Sequence, residues 1–161
     1  YIRTMDPAPL TDLLIDTLPH LPETDTFPRT IDAGMRQKLL DAMPGLKERA
    51  KTLIELRDGA AFLFAKRPLA LDAAASGILD ASARGNLREL LPKLTALPTW
   101  NAAATEDVVR HYAEENHLKL GQVAQPLRAA LTGKATSPGI FDVFTVLGRE
   151  ESLARLADQA G

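Results

Sequence analysis

The sequence predicts an all-α protein built as two small packed helical subdomains, an α-helical cage or bundle with no β-sheet. Three observations carry this. Apolar residues recur at helical spacing along most of the 161 residues, no stretch alternates as a strand, and proline or glycine punctuates the chain where one apolar stripe gives way to the next. A chain of this length buries a respectable core, either as one domain or as two small ones.

The first helix opens at Asp6-Pro7, an N-cap with proline near N1, and its stripe is Leu10, Leu13, Leu14 and Leu18. It is expected to end before Pro19. Pro19, Pro22 and Pro28 mark a loop to about Thr30, after which Ile31, Met35, Leu39 and Ala42 line a second helix. Pro44-Gly45 predicts a turn. Leu46, Ala50, Leu53, Ile54 and Arg57 then carry a third helix into the apolar cluster from Ala60 to Ala65, which Pro68 closes. Residues 70–97 predict two shorter helices split near Arg84-Gly85-Asn86, and Pro98-Thr99-Trp100 is the expected boundary between subdomains 1–98 and 99–161. Beyond it, Thr105 is expected to cap a helix to about Asn116, with Glu106 and Asp107 where the helix dipole favours acids. Leu120, Val123, Leu127, Ala130 and Leu131 keep helical spacing through Pro126, where a kink or break is expected, and Gly133 stops that helix. Ser137-Pro138 reads as the N-cap of a short helix carrying Phe141, Phe144 and Leu147, and a last helix from about Arg149 buries Leu153 and Leu156.

With 45% hydrophobic residues, 25% charged residues and a formal charge of −2, the composition is that of an ordinary globular protein and excludes a charge-driven, non-specific binder of nucleic acid. Any contact with a polyanion must come from a local patch. The 26 residues from Asn116 to Phe141 contain no Asp or Glu but hold Lys119, Arg128 and Lys134, with His117 at the edge. Lys119 and Lys134 are candidates for positioning phosphates, a salt-dependent attraction blind to sequence. Aromatic content of 5% leaves little for a stacking platform, so arginine must supply planar stacking.

Catalytic and metal chemistry find no support in the residues. Zero cysteines exclude disulfides and thiolate metal sites, and the scattered His20, His111 and His117 make no ligand cluster. The adjacent pairs Glu114-Glu115 and Glu150-Glu151 splay onto different sides of a helix and form no acid–base dyad. Gly133-Lys134 lacks the phosphate-loop spacing, since Ala135 follows and position 128 is arginine. No apolar run approaches the roughly 20 residues of a membrane span, and the start lacks a signal peptide's apolar segment, so a cytoplasmic location is expected. Tyr1 in place of an initiator methionine points to a piece excised from something longer.

The stretches Gly121-Gln-Val-Ala-Gln-Pro-Leu-Arg-Ala-Ala-Leu-Thr-Gly133, Ser137-Pro-Gly-Ile-Phe141 and Val146-Leu-Gly148 resemble the C-terminal anticodon-binding domain of bacterial-type glutamyl-tRNA synthetase. Tyr1-Ile2-Arg3, Lys47-Glu-Arg-Ala-Lys-Thr-Leu53, Phe62-Leu-Phe64 and Trp100 fit the same family more loosely. The resemblance implies a domain that holds the anticodon arm of glutamate tRNA, while a separate catalytic half of the same chain attaches glutamate using ATP and magnesium. That half's two signatures, His-Ile-Gly-His-like and Lys-Met-Ser-Lys-Ser-like, do not occur here, so these residues are expected to be inert as a ligase and to hold no cofactor of their own. By the same resemblance Arg128 contacts the anticodon, Ser137 occupies a position held by a hydroxyl residue, Ile140 packs against a base and Arg49 senses the third anticodon base. The residues themselves admit plainer uses: Ser137 as a helix cap, Ile140 as core, Arg128 and Arg49 as solvated helix cations. Two other functions stay open at the level of sequence, a helical module binding an acidic protein partner and a divergent paralogue binding another RNA.

Overall fold

Helix follows helix through the whole chain, all of which, Tyr1–Gly161, the computed structural model describes, and no strand forms. The residues divide into two units, Tyr1–Ala65 and Lys66–Gly161.

In the first unit, Pro7 fixes the opening turn of α1 (Pro7–Thr17), whose Leu10 and Leu14 are fully buried. A short 3-10 turn, Leu18–His20, follows, so the helical path runs past Pro19. Asp32 starts α2 (Ala33–Lys47) by accepting from the Met35 N–H at 2.8 Å. The turn expected at Pro44-Gly45 does not form, and α2 continues through both residues. Proline inside a helix costs about 3 kcal/mol, whereas the continued turn buries Met43 and Leu46, and each such side chain is worth about 1.5–3 kcal/mol. α3 (Leu53–Ala60) therefore begins later than its stripe suggested, at Thr52, whose hydroxyl accepts from the Glu55 N–H at 3.1 Å. The α1, α2 and α3 helices pack on one another, and Phe27 meets Phe64 edge-to-face with ring centroids 5.6 Å apart.

The second unit is organised around α7. Its elements are α4 (Ala73–Ile78), α5 (Ala81–Thr95), α6 (Ala102–Glu115), α7 (Leu120–Thr132), α8 (Ile140–Leu147) and α9 (Arg149–Ala160), and α7 packs on each of the other five. The small residues Ala124, Ala129 and Ala130 allow this close approach on several sides, and Val123, Leu127 and Leu131 fill the space between. Pro126 is buried within α7 and does not break it. The division between α4 and α5 falls at Leu79-Asp80, where Asp80 caps α5 through the Ala83 N–H at 2.8 Å, and not at Gly85, which lies inside α5. Similarly Asn101, not Thr105, caps α6, accepting from the Ala104 N–H at 2.8 Å. Thr105 is fully buried, its hydroxyl 3.1 Å from the carbonyl of Asn101.

The boundary expected at Pro98–Trp100 lies inside this unit. Leu87, Leu90 and Leu94 of α5 are fully buried, and α5 packs along α9, so the apolar face that precedes the proline is completed by the helix at the far end of the chain. Trp100 is part of that packing: its indole N–H donates to the Phe144 carbonyl at 2.8 Å and its ring meets Phe144 edge-to-face at 5.7 Å. No helix is long and apolar enough to cross a membrane.

Candidate nucleic-acid interface

The acid-free stretch folds as the end of α6, all of α7 and the connector to α8. His117 stands just past α6 with φ of 56°, in the left-handed region, and lets the Leu118 N–H reach back to the Ala113 carbonyl at 2.8 Å. Lys119 is the N-cap residue of α7, exposed, with its backbone N–H donating to the Gln122 side chain at 2.8 Å. Gly133, at φ of 74°, ends the helix, and Lys134 follows, exposed. Since α7 rises about 1.5 Å per residue, Lys119 and Lys134 stand roughly 20 Å apart, at opposite ends of the helix, and do not form one phosphate cluster.

Arg128 and Ser137 do come together. The Arg128 Nε–H donates to Ser137 Oγ at 2.9 Å, and the Ser137 hydroxyl donates in turn to the Pro138 carbonyl at 2.7 Å. Arg128 is half-buried and Ser137 is buried. A guanidinium held through Nε presents its plane in one orientation, which is what stacking on an unstacked base or bonding its edge requires. Ser137 is not the cap of α8: that helix starts at Ile140 with Gly139 as N-cap residue and no side-chain cap, and the Ser137 oxygen accepts from Arg128 instead of from a helix N–H. Ile140 is 5% exposed, so its side chain fills the core with Val143 and Phe144 instead of facing a base. Arg49 belongs to the first unit, exposed on the turn after α2, with its N–H on the Leu46 carbonyl at 3.2 Å.

The connector between α7 and α8 is tied down from a segment that the sequence did not single out. The Asp72 N–H donates to the Gly133 carbonyl at 3.0 Å, and a Cβ at Gly133 would stand 2.5 Å from the Ala70 carbonyl oxygen. At its other end this segment is held by Arg67, whose Nε and Nη2 donate to the two Asp158 oxygens at 2.9 and 3.0 Å. From the opposite direction Arg155 of α9, 1% exposed, donates to the Leu131 carbonyl at 2.7 Å and to Glu151 at 2.7 Å. It supplies a cation where the carbonyl end of α7 is negative. Two further arginines close α9 itself, Arg84 on the Gln159 carbonyl at 2.8 Å and Arg88 on the Ala160 carbonyl at 3.0 Å.

Titratable groups outside this region serve structure. His111 is raised above its usual pKa by the hydrogen bond to the Asp107 carbonyl and then by the Asp107 carboxylate, both on its own helix. Tyr112 is pushed up to about 12, first by burial and then by its bond to Glu89. No group of three or more His, Asp or Glu side chains is placed to hold a metal ion.

Residues 10–160 match the sequence profile of a family described as the anticodon binding domain. The chain is 60% identical to glutamate–tRNA ligase 1 of Beijerinckia indica over 162 residues, covering 100% of this chain and 34% of that protein. It is 57% identical to glutamate–tRNA ligase 1 of Methylobacterium sp. strain 4-46, covering 99% of this chain and again 34% of the relative. The chain thus spans about a third of the length of these curated relatives. Among solved structures, a glutamate tRNA ligase from Elizabethkingia meningosepticum, crystallised with its amino acid, superposes with a TM-score of 0.76 at 22% identity. The match covers 99% of this chain and 30% of that one, a likeness of fold.

Proposed function

This chain belongs to the anticodon binding domain family, in the form carried by glutamate–tRNA ligases, and from that premise we propose that it holds the anticodon loop of glutamate tRNA and reads it through Arg128. The observation that carries the proposal is the Arg128–Ser137 bond inside the acid-free stretch. A planar cation oriented by a neighbouring hydroxyl is suited to a splayed base, and Lys119 and Lys134 on either side of it along α7 suit the phosphates of the loop. Ser137 sets the guanidinium, Ile140 is buried at the end of the connector, and Arg49, exposed in the first unit, is the candidate sensor of the third anticodon base. Glutamate, ATP and magnesium belong to the catalytic half of its own longer chain, in the cytoplasm, to which this domain presents only the correct tRNA. Neither a protein-interaction module nor a paralogue for another RNA has an observation in its favour.

The test is a titration of the 161-residue chain with glutamate tRNA and with the same tRNA altered at the third anticodon base, each at two salt concentrations. A preference for the unaltered anticodon that survives the higher salt is expected. Equal binding of the two RNAs that fades together as salt rises would leave only a phosphate contact and overturn the base-reading role.

A further inference from the structure

The residues that read a base must be held to within a fraction of an ångström, yet Ser137 lies on a connector without regular structure. What fixes that connector is the irregular segment from Lys66 to Asp72. One end of it is bound to Gly133, the first residue of the connector, through the Asp72 N–H, and Leu69, 7% exposed, packs beside the same glycine. Asp72 is itself immobilised, because its carboxylate caps α4 through the Ala75 N–H at 2.8 Å and α4 packs on α7. The other end is clamped by the two-pronged Arg67–Asp158 pair to α9, one turn beyond Arg155, the residue that grips the last turn of α7.

We infer that this segment is a strap, and that Arg67, Asp158 and Asp72 are positioning residues that set Arg128 and Ser137 for base reading without touching the RNA. The inference rests on the anticodon reading proposed above. Pulling the strap away frees the Gly133 carbonyl and removes the Ala70 backbone that covers it, so the connector gains room and the Nε–Oγ bond loses its fixed partner. The consequence falls on selectivity. Loop charge is unchanged, so the salt-dependent attraction to phosphates persists while the distinction between bases weakens.

Arg67→Ala and Asp158→Ala test this, with the exchanged pair Arg67→Asp/Asp158→Arg as rescue. The two side chains are 42% and 24% exposed, a setting in which an ion pair adds little to stability, so the single variants stay folded. In the paired tRNA titration each single variant is expected to lose the preference for the unaltered anticodon by roughly three- to tenfold, within the range by which residues remote from a ligand shift its binding. The exchanged pair is expected to recover most of it. Amide exchange supplies a readout independent of RNA: the Asp72 and Lys134 N–H groups are expected to exchange faster in both single variants and to slow again in the exchanged pair. Wild-type preference in both single variants overturns the strap and leaves the anticodon reading standing. So does weaker binding of both RNAs by Arg67→Ala with tighter binding of both by Asp158→Ala, which makes Arg67 a direct phosphate contact. A wild-type chain without preference overturns both proposals.

Discussion

Arg128 contributes direction as well as charge, and its substitutions separate the two. Arg128→Ala is expected to reduce the free-energy preference for the unaltered anticodon by about 1–3 kcal/mol, the worth of a good side-chain-to-base contact. Arg128→Lys keeps the charge but loses the plane and the Nε bond to Ser137, so it is expected to lose nearly as much preference while retaining more affinity. Both are read as ratios of dissociation constants in the paired titration, and an Arg128→Lys variant that discriminates like wild type would reduce Arg128 to a simple cation. Lys134→Ala, by contrast, is expected to weaken both RNAs equally and to lower the salt slope by about one. His117 poses a different question, since its φ of 56° is one that few residues other than glycine adopt readily. His117→Gly is expected to stabilise the fold by about 0.5–1 kcal/mol, the relief of the left-handed conformation less glycine's extra entropy in the unfolded chain. A rise in the thermal midpoint would show it, and a fall would mean that His117 sits there without strain, leaving only glycine's entropy cost.

At the scale of elements, the ends of α7 and α9 are held by arginines from neighbouring helices. Arg155→Met keeps most of the buried volume but leaves the Leu131 carbonyl without its cation. It is expected to cost about 2–4 kcal/mol of unfolding free energy in urea, and Glu151→Gln, at the more exposed end of the pair, well under half of that. Equal losses would put the stability in the ion pair instead of the carbonyl bond. Helix stripes such as Leu10/Leu14 and Leu120/Val123/Leu127 could be read from sequence because periodicity reports burial over many residues at once. Caps and breaks rest on single residues and misled more often. Asn101 and Thr105 are both eligible caps, and only the extended backbone at Asn101, φ −153° and ψ 173°, decides between them. Pro44, Pro92 and Pro126 all lie inside helices, because burial along those helices outweighs one lost bond, a comparison that sequence does not display. Arg128 and Ser137 were found through wording shared with a family, but the strap was not, since Arg67 and Asp158 are 91 residues apart and neither is unusual for its neighbourhood.

For the whole molecule, net charge near neutrality means that binding and stability respond to particular groups and not to a global field. The clearest is Tyr112, 2% exposed, with its hydroxyl 2.9 Å from Glu89 and 3.0 Å from Asn86. Its folded pKa is raised to about 12 from 10.0, so the unfolded chain loses the proton first. Stability from this group is therefore complete below pH 10.0 and falls as pH rises toward about 12, by up to roughly 3 kcal/mol. Urea unfolding across that window should show the fall in the wild-type chain, with a shallower one in Tyr112→Phe; parallel curves would dismiss Tyr112 as the source. In a Tyr1→Phe background Tyr112 is the single phenol, so its phenolate absorbance checks the titration directly. Gly133 has a further consequence for how this chain tolerates change. At Gly59, Gly77, Gly85 and Gly121 an added Cβ meets nothing within 4 Å, whereas at Gly133 it would meet backbone oxygen at 2.5 Å. A randomised library sorted for folded, tRNA-binding members should therefore return a broad choice of residues at those four positions and glycine alone at 133, marking on the gene a point of the loop where the backbone itself leaves the chain no freedom to drift.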